Sequence, residues 1–303
     1  MTIKRIAALF IAVFLVFSTA GCSKGNQADT DAVSAAMDKF RACTSFTVVH
    51  ILDSTAVQTL GEESHTYSGS NVMEISIITG SAPRMKSTTT MLLEYDGEQG
   101  EQVTTSYLVT ENGVYTEYFT DGSQWYMVST EDESVLPDVS ADTVEKTFSL
   151  GDISFRKAGE ESIGGEAALR YEGVIKGGPL VSMLEINGRL SSISSMSENQ
   201  QAKIRENLVK DLKGVTVSVW IAEESGYPVR FEANLTETLS EIDKSISKTL
   251  GGKSTDDQVL ITEDVITISV ADFNAVSEIV LPPEAASAQP YEFAEASAEE
   301  DAS

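Results

Sequence analysis

The sequence predicts an α+β fold: an antiparallel β-meander with amphipathic helices ahead of it and between its strands. Three observations carry this. Short β-branched and aromatic runs follow one another at regular intervals from Phe46 to Ser129, separated by steps such as Asp96-Gly97, Asn112-Gly113 and Asp121-Gly122. Those dipeptides tolerate φ > 0 and favour tight antiparallel hairpins. Two runs of strict alternation, Val215–Ile221 and Val229–Leu235, flank Glu223-Glu224-Ser225-Gly226, so a one-residue slip would turn both apolar rows outward. Helical spacing is confined to a few stretches, and no strand–helix–strand alternation is present.

The chain opens with Lys4 and Arg5, an unbroken apolar run Ile6–Phe17, and Thr19-Ala20-Gly21-Cys22. A basic start, an apolar centre and small residues before a cleavage point make a secretory signal peptide over residues 1–21. The run is too short for the helix of about 20 residues that spans a bilayer. Small-small-Cys resembles a bacterial lipobox, although Thr19 stands where Leu is usual. That resemblance implies a diacylglyceryl or palmitate-type modification on Cys22 and a location on the extracytoplasmic face of the cell membrane. The alternative is an ordinary secretory leader with Cys22 incidental.

Residues 22–29, small and polar, are expected to form a flexible tether. Thr30 or Asp31 is a candidate cap for a helix whose apolar stripe is Val33, Ala36, Met37, Phe40 and Cys43. Cys43 is then the one cysteine left after lipidation, a packed helix-end thiol with no disulfide partner. Candidate strands follow at Phe46–Leu52, Val72–Ile78, Met85–Tyr95, Val103–Thr110, Val114–Phe119 and Gln124–Ser129. Glu131-Asp132-Glu133 begins an acidic loop running to Asp138. A short helix at Val144–Leu150, a strand pair Ile153–Ala158 and Ala167–Ile175 across Gly164-Gly165, and an apolar helical patch at Leu180, Met183 and Leu184 come next. Glu198–Lys213 has Ile204, Leu208 and Leu212 on one face and basic residues near its end, where they complement the helix dipole. Leu239, Ile242, Ile246 and Leu250 suggest another helix, and Val259–Val270 a long final strand. Glu284–Ser303, mostly Ala, Glu, Ser and Asp, is expected to be a disordered acidic tail.

The net charge is −26, and removing Lys4 and Arg5 with the leader makes it more negative. No clustered Lys and Arg are present to bind phosphates, so nucleic acid is not an expected partner, and neither is anionic lipid. The expected state is a soluble monomer held off like-charged surfaces.

Several stretches together resemble lipoproteins of the LolA, LolB and LppX type, and especially the DUF6612-like Gram-positive lipoproteins. They are ACTSFTVVH from Ala42, the pair NGVYTEYF and DGSQWYMV, GEESIGGEAALRYEGVI, and VSVWIAEESGYPVRFEANL closed by ITISVADFNAVSEIVLPPEA. The resemblance covers residues 30–283. It implies a curved antiparallel sheet, an incomplete β-barrel, with helices across its concave face. It also implies an apolar cavity between sheet and helices that takes an acyl chain or a lipoprotein.

The chemistry-bearing residues are sparse. The chain has two histidines, His50 in a strand and His65 in a polar loop. No G-x-S-x-G elbow surrounds a serine, no zinc-ligand spacing or EF-hand order appears, and no Walker or G-x-G-x-x-G loop is present. The sequence therefore predicts no enzyme, no metal and no cofactor. Tyr115, Phe119 and Trp125 stand out in an aromatic cluster. On paired strands Tyr115 and Phe119 share a side, and Trp125 is placed to face them. They form either a packed core or the wall of a ligand cavity. Two functions follow as expectations: binding or carrying a lipid or acyl chain, or binding an envelope protein through a free sheet edge.

Overall fold

The computed structural model of the protein describes residues 26–60, 63–132, 140–249 and 258–291. The expected signal peptide, Cys22, the acidic residues 133–138 and the end of the tail lie outside the described residues.

Helix α1 (Gln27–Arg41) precedes six strands: β1 (Ser45–Leu60), β2 (Glu63–Ile78), β3 (Arg84–Tyr95), β4 (Glu98–Glu111), β5 (Val114–Thr120) and β6 (Trp125–Thr130). Then come α2 (Ala141–Phe148), β7 (Arg156–Ile163), β8 (Glu166–Ile175), α3 (Gly178–Ile186) and α4 (Glu198–Asp211). The chain continues with β9 (Val215–Ala222), β10 (Pro228–Asn234), α5 (Thr236–Thr249), β11 (Gln258–Ala271) and a two-residue β12 (Gln289–Pro290).

All twelve strands join one open, curved sheet in the order β12-β6-β5-β4-β3-β2-β1-β11-β10-β9-β8-β7. The β1–β6 and β7–β10 meanders are separate in sequence, and β11 stitches them by pairing with both β1 and β10. The hairpin steps behave as their residues require: Asp96 and Gly97 have φ 48 and 86, and Asn112 and Gly113 have φ 53 and 79. The sheet is mixed where an antiparallel one was expected, because β12 enters beside β6 in the parallel sense.

Three expectations change. Residues 26–29 of the expected tether belong to the start of α1, since Asn26 caps it by accepting from the Asp29 N–H at 2.8 Å. Asn26 N donates to the Phe155 carbonyl at 3.0 Å, and Asp29 accepts from Lys157 N at 2.7 Å, so the helix start is held to β7. His65 lies within β2, not in a loop. Residues 284–291 of the expected disordered tail are placed: Pro283–Ser287 forms a 3-10 turn with Ala285 buried, and Tyr291 N donates to the Met127 carbonyl at 2.9 Å.

The helices pack in sequence, α1 to α5, and rest on β7 and β9–β11. The face beneath them, called inner here, carries Phe46, Val48, Ile75, Ile77, Val217, Val219, Phe231, Ala233, Ile266 and Ile268, all buried. Phe148 of α2 stacks on Phe231 of β10 with ring centroids 5.8 Å apart. Burying one such side chain contributes about 2–3 kcal/mol. Where Ile153–Phe155 crosses β8, the sequence supplies Gly173, and a Cβ there would lie 2.0 Å from Ile153 Cγ2.

Candidate functional site

Beneath the helices the interior is apolar. Leu180, Met183, Leu184, Ile204, Leu208 and Phe231 are all wholly buried and belong to one contiguous core. Open apolar surface lies beside the helices.

That surface is the inner face of β1–β6. Cross-strand register defines it. His50 pairs with Met73, Leu52 with Asn71, Asn71 with Met91, and Gly69 with Leu93. Farther out, Thr110 pairs with Tyr115, Glu117 with Val128, and Phe119 with Tyr126. Alternation then places Leu52, Met73, Met91, Leu93, Tyr115, Phe119, Tyr126 and Val128 on one side. Most are half-buried, and Met91 and Leu93 are exposed. Asn71, Ser87, Thr89, Gln102, Thr104, Ser106 and Glu117 share that side, so the trough flanked by the helix layer has apolar patches with polar positions between them.

The three expected residues separate. Tyr115 packs against the edge of the core. Phe119 stacks on Tyr126 at 5.6 Å and meets Tyr291 edge-on at 5.3 Å. Trp125 pairs with Thr120, one residue out of step with Phe119, so it lies on the outer face beside Tyr107, ring centroids 6.0 Å apart. The connection 121–124 between β5 and β6 puts Tyr126, and not Trp125, opposite Phe119.

A polar group interrupts the apolar row where the helix layer ends. Asp264 on β11 is buried and paired with Arg189, which follows α3, at 2.8 Å. The Asp264 N–H donates to Thr236 Oγ1 at 2.9 Å and its carbonyl accepts from Leu235 N at 2.7 Å. Burial pushes its carboxyl up to about 6, with Arg189 opposing. Nearby His50 is held below the ordinary histidine range by burial first and the Arg189 charge second, so it is neutral at pH 7. A bulge between Thr55 and Ala56, opposite Thr262, follows at once. It keeps Ile261 and Val259 in the inner row, opposite Ala56 and Gln58.

The pair was not anticipated. Its one sequence signal is an acidic residue at an inward position of an otherwise apolar alternation, Asp264 before Ile266, Ile268 and Val270. Its partner, 75 residues away, leaves none.

Three concavities stand out among the described residues. One of about 450 Å³ lies where α1 meets α2, lined by Arg41, Asp142, Glu145 and Lys146, and Arg41 is paired there with Asp38, Asp142 and Glu145. A neighbour of about 170 Å³ is lined by Val33, Met37, Leu150 and Phe155. The third, also about 450 Å³, sits at the far end of the trough between β2 and β4, walled by Tyr67, Leu93 and Tyr95. Among the described residues no three His, Cys, Asp or Glu side chains are placed to hold a metal ion. Cys43 is buried and its thiol is raised by burial, with its Sγ 3.6 Å from the Lys39 carbonyl. No helix of the described residues is long and apolar enough to cross a membrane.

No protein-family model matches the chain, and no curated protein matches it. Solved structures do. The chain is similar to LprF from Mycobacterium bovis, at 12% identity over 86% of this chain and 98% of that one, with a TM-score of 0.40. It is similar to the lipoprotein LppX from Mycobacterium tuberculosis, at 12% identity over 84% and 98% of the two chains, with a TM-score of 0.36. It is similar also to a putative outer membrane lipoprotein-sorting protein domain from Vibrio parahaemolyticus, at 9% identity over 83% and 94%, with a TM-score of 0.23.

Proposed function

We propose that this chain is an extracytoplasmic lipoprotein, anchored through Cys22, that binds a lipid or acyl chain along the open inner face of β1–β6. Kinship with the DUF6612-like lipoproteins is part of the proposal, as are the single folded domain behind a short tether and the absence of catalysis. The observation that carries it is the one-sided helix layer. Helices cover the inner face of β7 and β9–β11, while the same face of β2–β6 carries Met73, Met91, Leu93, Tyr115, Phe119 and Tyr126, with Ser87, Thr89, Thr104 and Ser106 between them. Sites for apolar ligands are lined in this way, by aliphatic and aromatic groups with a few polar ones among them. Asp264, Arg189 and His50 supply the polar end. A long acyl chain laid in the trough gains about 0.8 kcal/mol per buried CH₂.

Native mass spectrometry of the protein extracted from its own membrane tests this. A lipid-sized adduct on the wild type, reduced in Tyr115→Glu and Phe119→Glu, is expected. Adduct-free wild type in repeated preparations contradicts it.

The second reading is binding of a protein through a sheet edge. It is favoured by β7, the edge strand Arg156–Ile163, whose second side is unpaired among the described strands.

A further inference from the structure

The far end of β2, β3 and β4 runs past the helix layer, and its side chains are not those of an idle surface. Tyr67 and Tyr95 pair across β2 and β3 with ring centroids 4.9 Å apart. His65 stacks on Tyr95 at 5.7 Å, and its Nδ1 lies 2.6 Å from Asp96 Oδ2. The Tyr67 hydroxyl donates to Gln58 at 3.1 Å. The rings are therefore fixed in place, although Tyr67 and Tyr95 are 39% and 44% exposed.

Beside them Leu93, 57% exposed, stands in a cross-strand row between Gly69 and Gly100. A Cβ at Gly100 would meet nothing within 4 Å. The missing side chain leaves the concavity of about 450 Å³ at this end. Glu94 and Glu98 line the same concavity, and Gln99 holds the Glu94 carboxylate at 2.7 Å. Among the described residues of this end, 55–60, 63–70, 91–103 and 259–263, there are acidic groups and no Lys or Arg.

Fixed aromatic faces, an apolar wall and the carboxylate of Glu98 on one face have one complementary chemistry, a cation on an alkyl stem. We propose that this concavity receives a basic side chain, a lysine ammonium or arginine guanidinium, presented by a protein partner. The stem lies along Leu93 over Gly100, and the head reaches Glu98, which pairs with Tyr95 on the same face, with a tyrosine ring beneath it. Anionic membrane is disfavoured by the sign of the charge. The proposal shares Leu93 with the trough but does not rest on the lipid reading, since it needs neither a bound acyl chain nor the anchor.

Amide chemical shifts of the mature chain, titrated with acetyl-Leu-Lys-Leu-amide, test it. Saturable shifts confined to Tyr67, Leu93, Tyr95 and Gly100 are expected, and the arginine analogue should give them too. The norleucine and glutamate analogues should not. Gly100→Leu, which fills the hollow, should abolish the shifts while leaving the rest of the spectrum unchanged. Glu98→Gln is an isosteric surface change that keeps the fold testable and should weaken binding roughly two- to five-fold, the range of one exposed charge pair, while Glu94→Gln, on the opposite face, should leave it unchanged. Equal shifts from the norleucine peptide, retained binding in Gly100→Leu, or shifts scattered over the acidic surface would overturn the proposal. So would binding to phosphatidylcholine vesicles with no response to the lysine peptide.

Discussion

Arg189 and Asp264 form an ion pair in a place that otherwise holds Ile266, Ile268 and Phe231. Replacing Arg189 by Met leaves a carboxylate buried without its cation, which costs about 3–5 kcal/mol near neutral pH. Urea unfolding at pH 7 and pH 5 measures this, and the loss should be smaller at pH 5, where Asp264 takes a proton. The pair also sets a pH dependence. The folded carboxyl sits at about 6, above the ordinary aspartate value of about 3.9, so the folded state binds the extra proton. The Asp264 contribution to stability is therefore full below pH 4 and falls as pH rises through 6. Asp264→Asn should remove that component. The midpoint difference between wild type and variant, followed from pH 4 to pH 7, should change in that sense. A constant difference would contradict the assignment. Gly173 is a second single-residue test. Gly173→Ala drives a methyl against Ile153 and the Ser154 carbonyl at 3.1 Å, and a loss of roughly 1–3 kcal/mol in a denaturant melt is expected. None of this was legible beforehand. A buried ion pair needs two residues far apart in the chain, and a glycine is informative only once the strand crossing it is known.

At the scale of the element, strand centres were readable and strand ends were not. Val48, Ile75 and Ile268 announce their strands through β-branching, yet β1 runs on through Asp53-Ser54-Thr55 to Leu60 and β2 begins at Glu63. Those polar residues read as turn, but the neighbours β11 and β3 supply their ladder partners and override local preference. The same mechanism explains His65, drawn into β2 opposite Gln58. For Trp125 the error was one residue of register, which moves a side chain to the other face. The start of α1 moved because Asn26 is as good a cap as Thr30 and has Phe155 to bind. Asn26→Ala should cost about 1 kcal/mol. Faster amide exchange in the first turn of α1 is the readout, with the last turn unchanged.

The whole molecule is two meanders joined by one late strand. Each half was visible as a run of strands and turns. The join was not, because β11 pairs with β1 and β10 across long sequence separations. The one-sided helix layer that leaves the β1–β6 trough open follows from that order. Net charge −26 acts at this scale as well. Self-repulsion weakens the compact state, and the screening length shrinks from about 30 Å at 0.01 M salt to about 8 Å at 0.15 M. The thermal midpoint should rise over that range, and a fall would mean that attractive ion pairs dominate.

The central claim is that the inner face of β1–β6 holds the hydrophobic ligand. Photo-crosslinking with a diazirine-bearing fatty acid, followed by peptide mapping, tests it most directly. The expected labels fall on Met73, Tyr115, Phe119 and Tyr126, with Trp125 on the outer face spared. Labels on the outer face alone, or none above those of a denatured control, would contradict it.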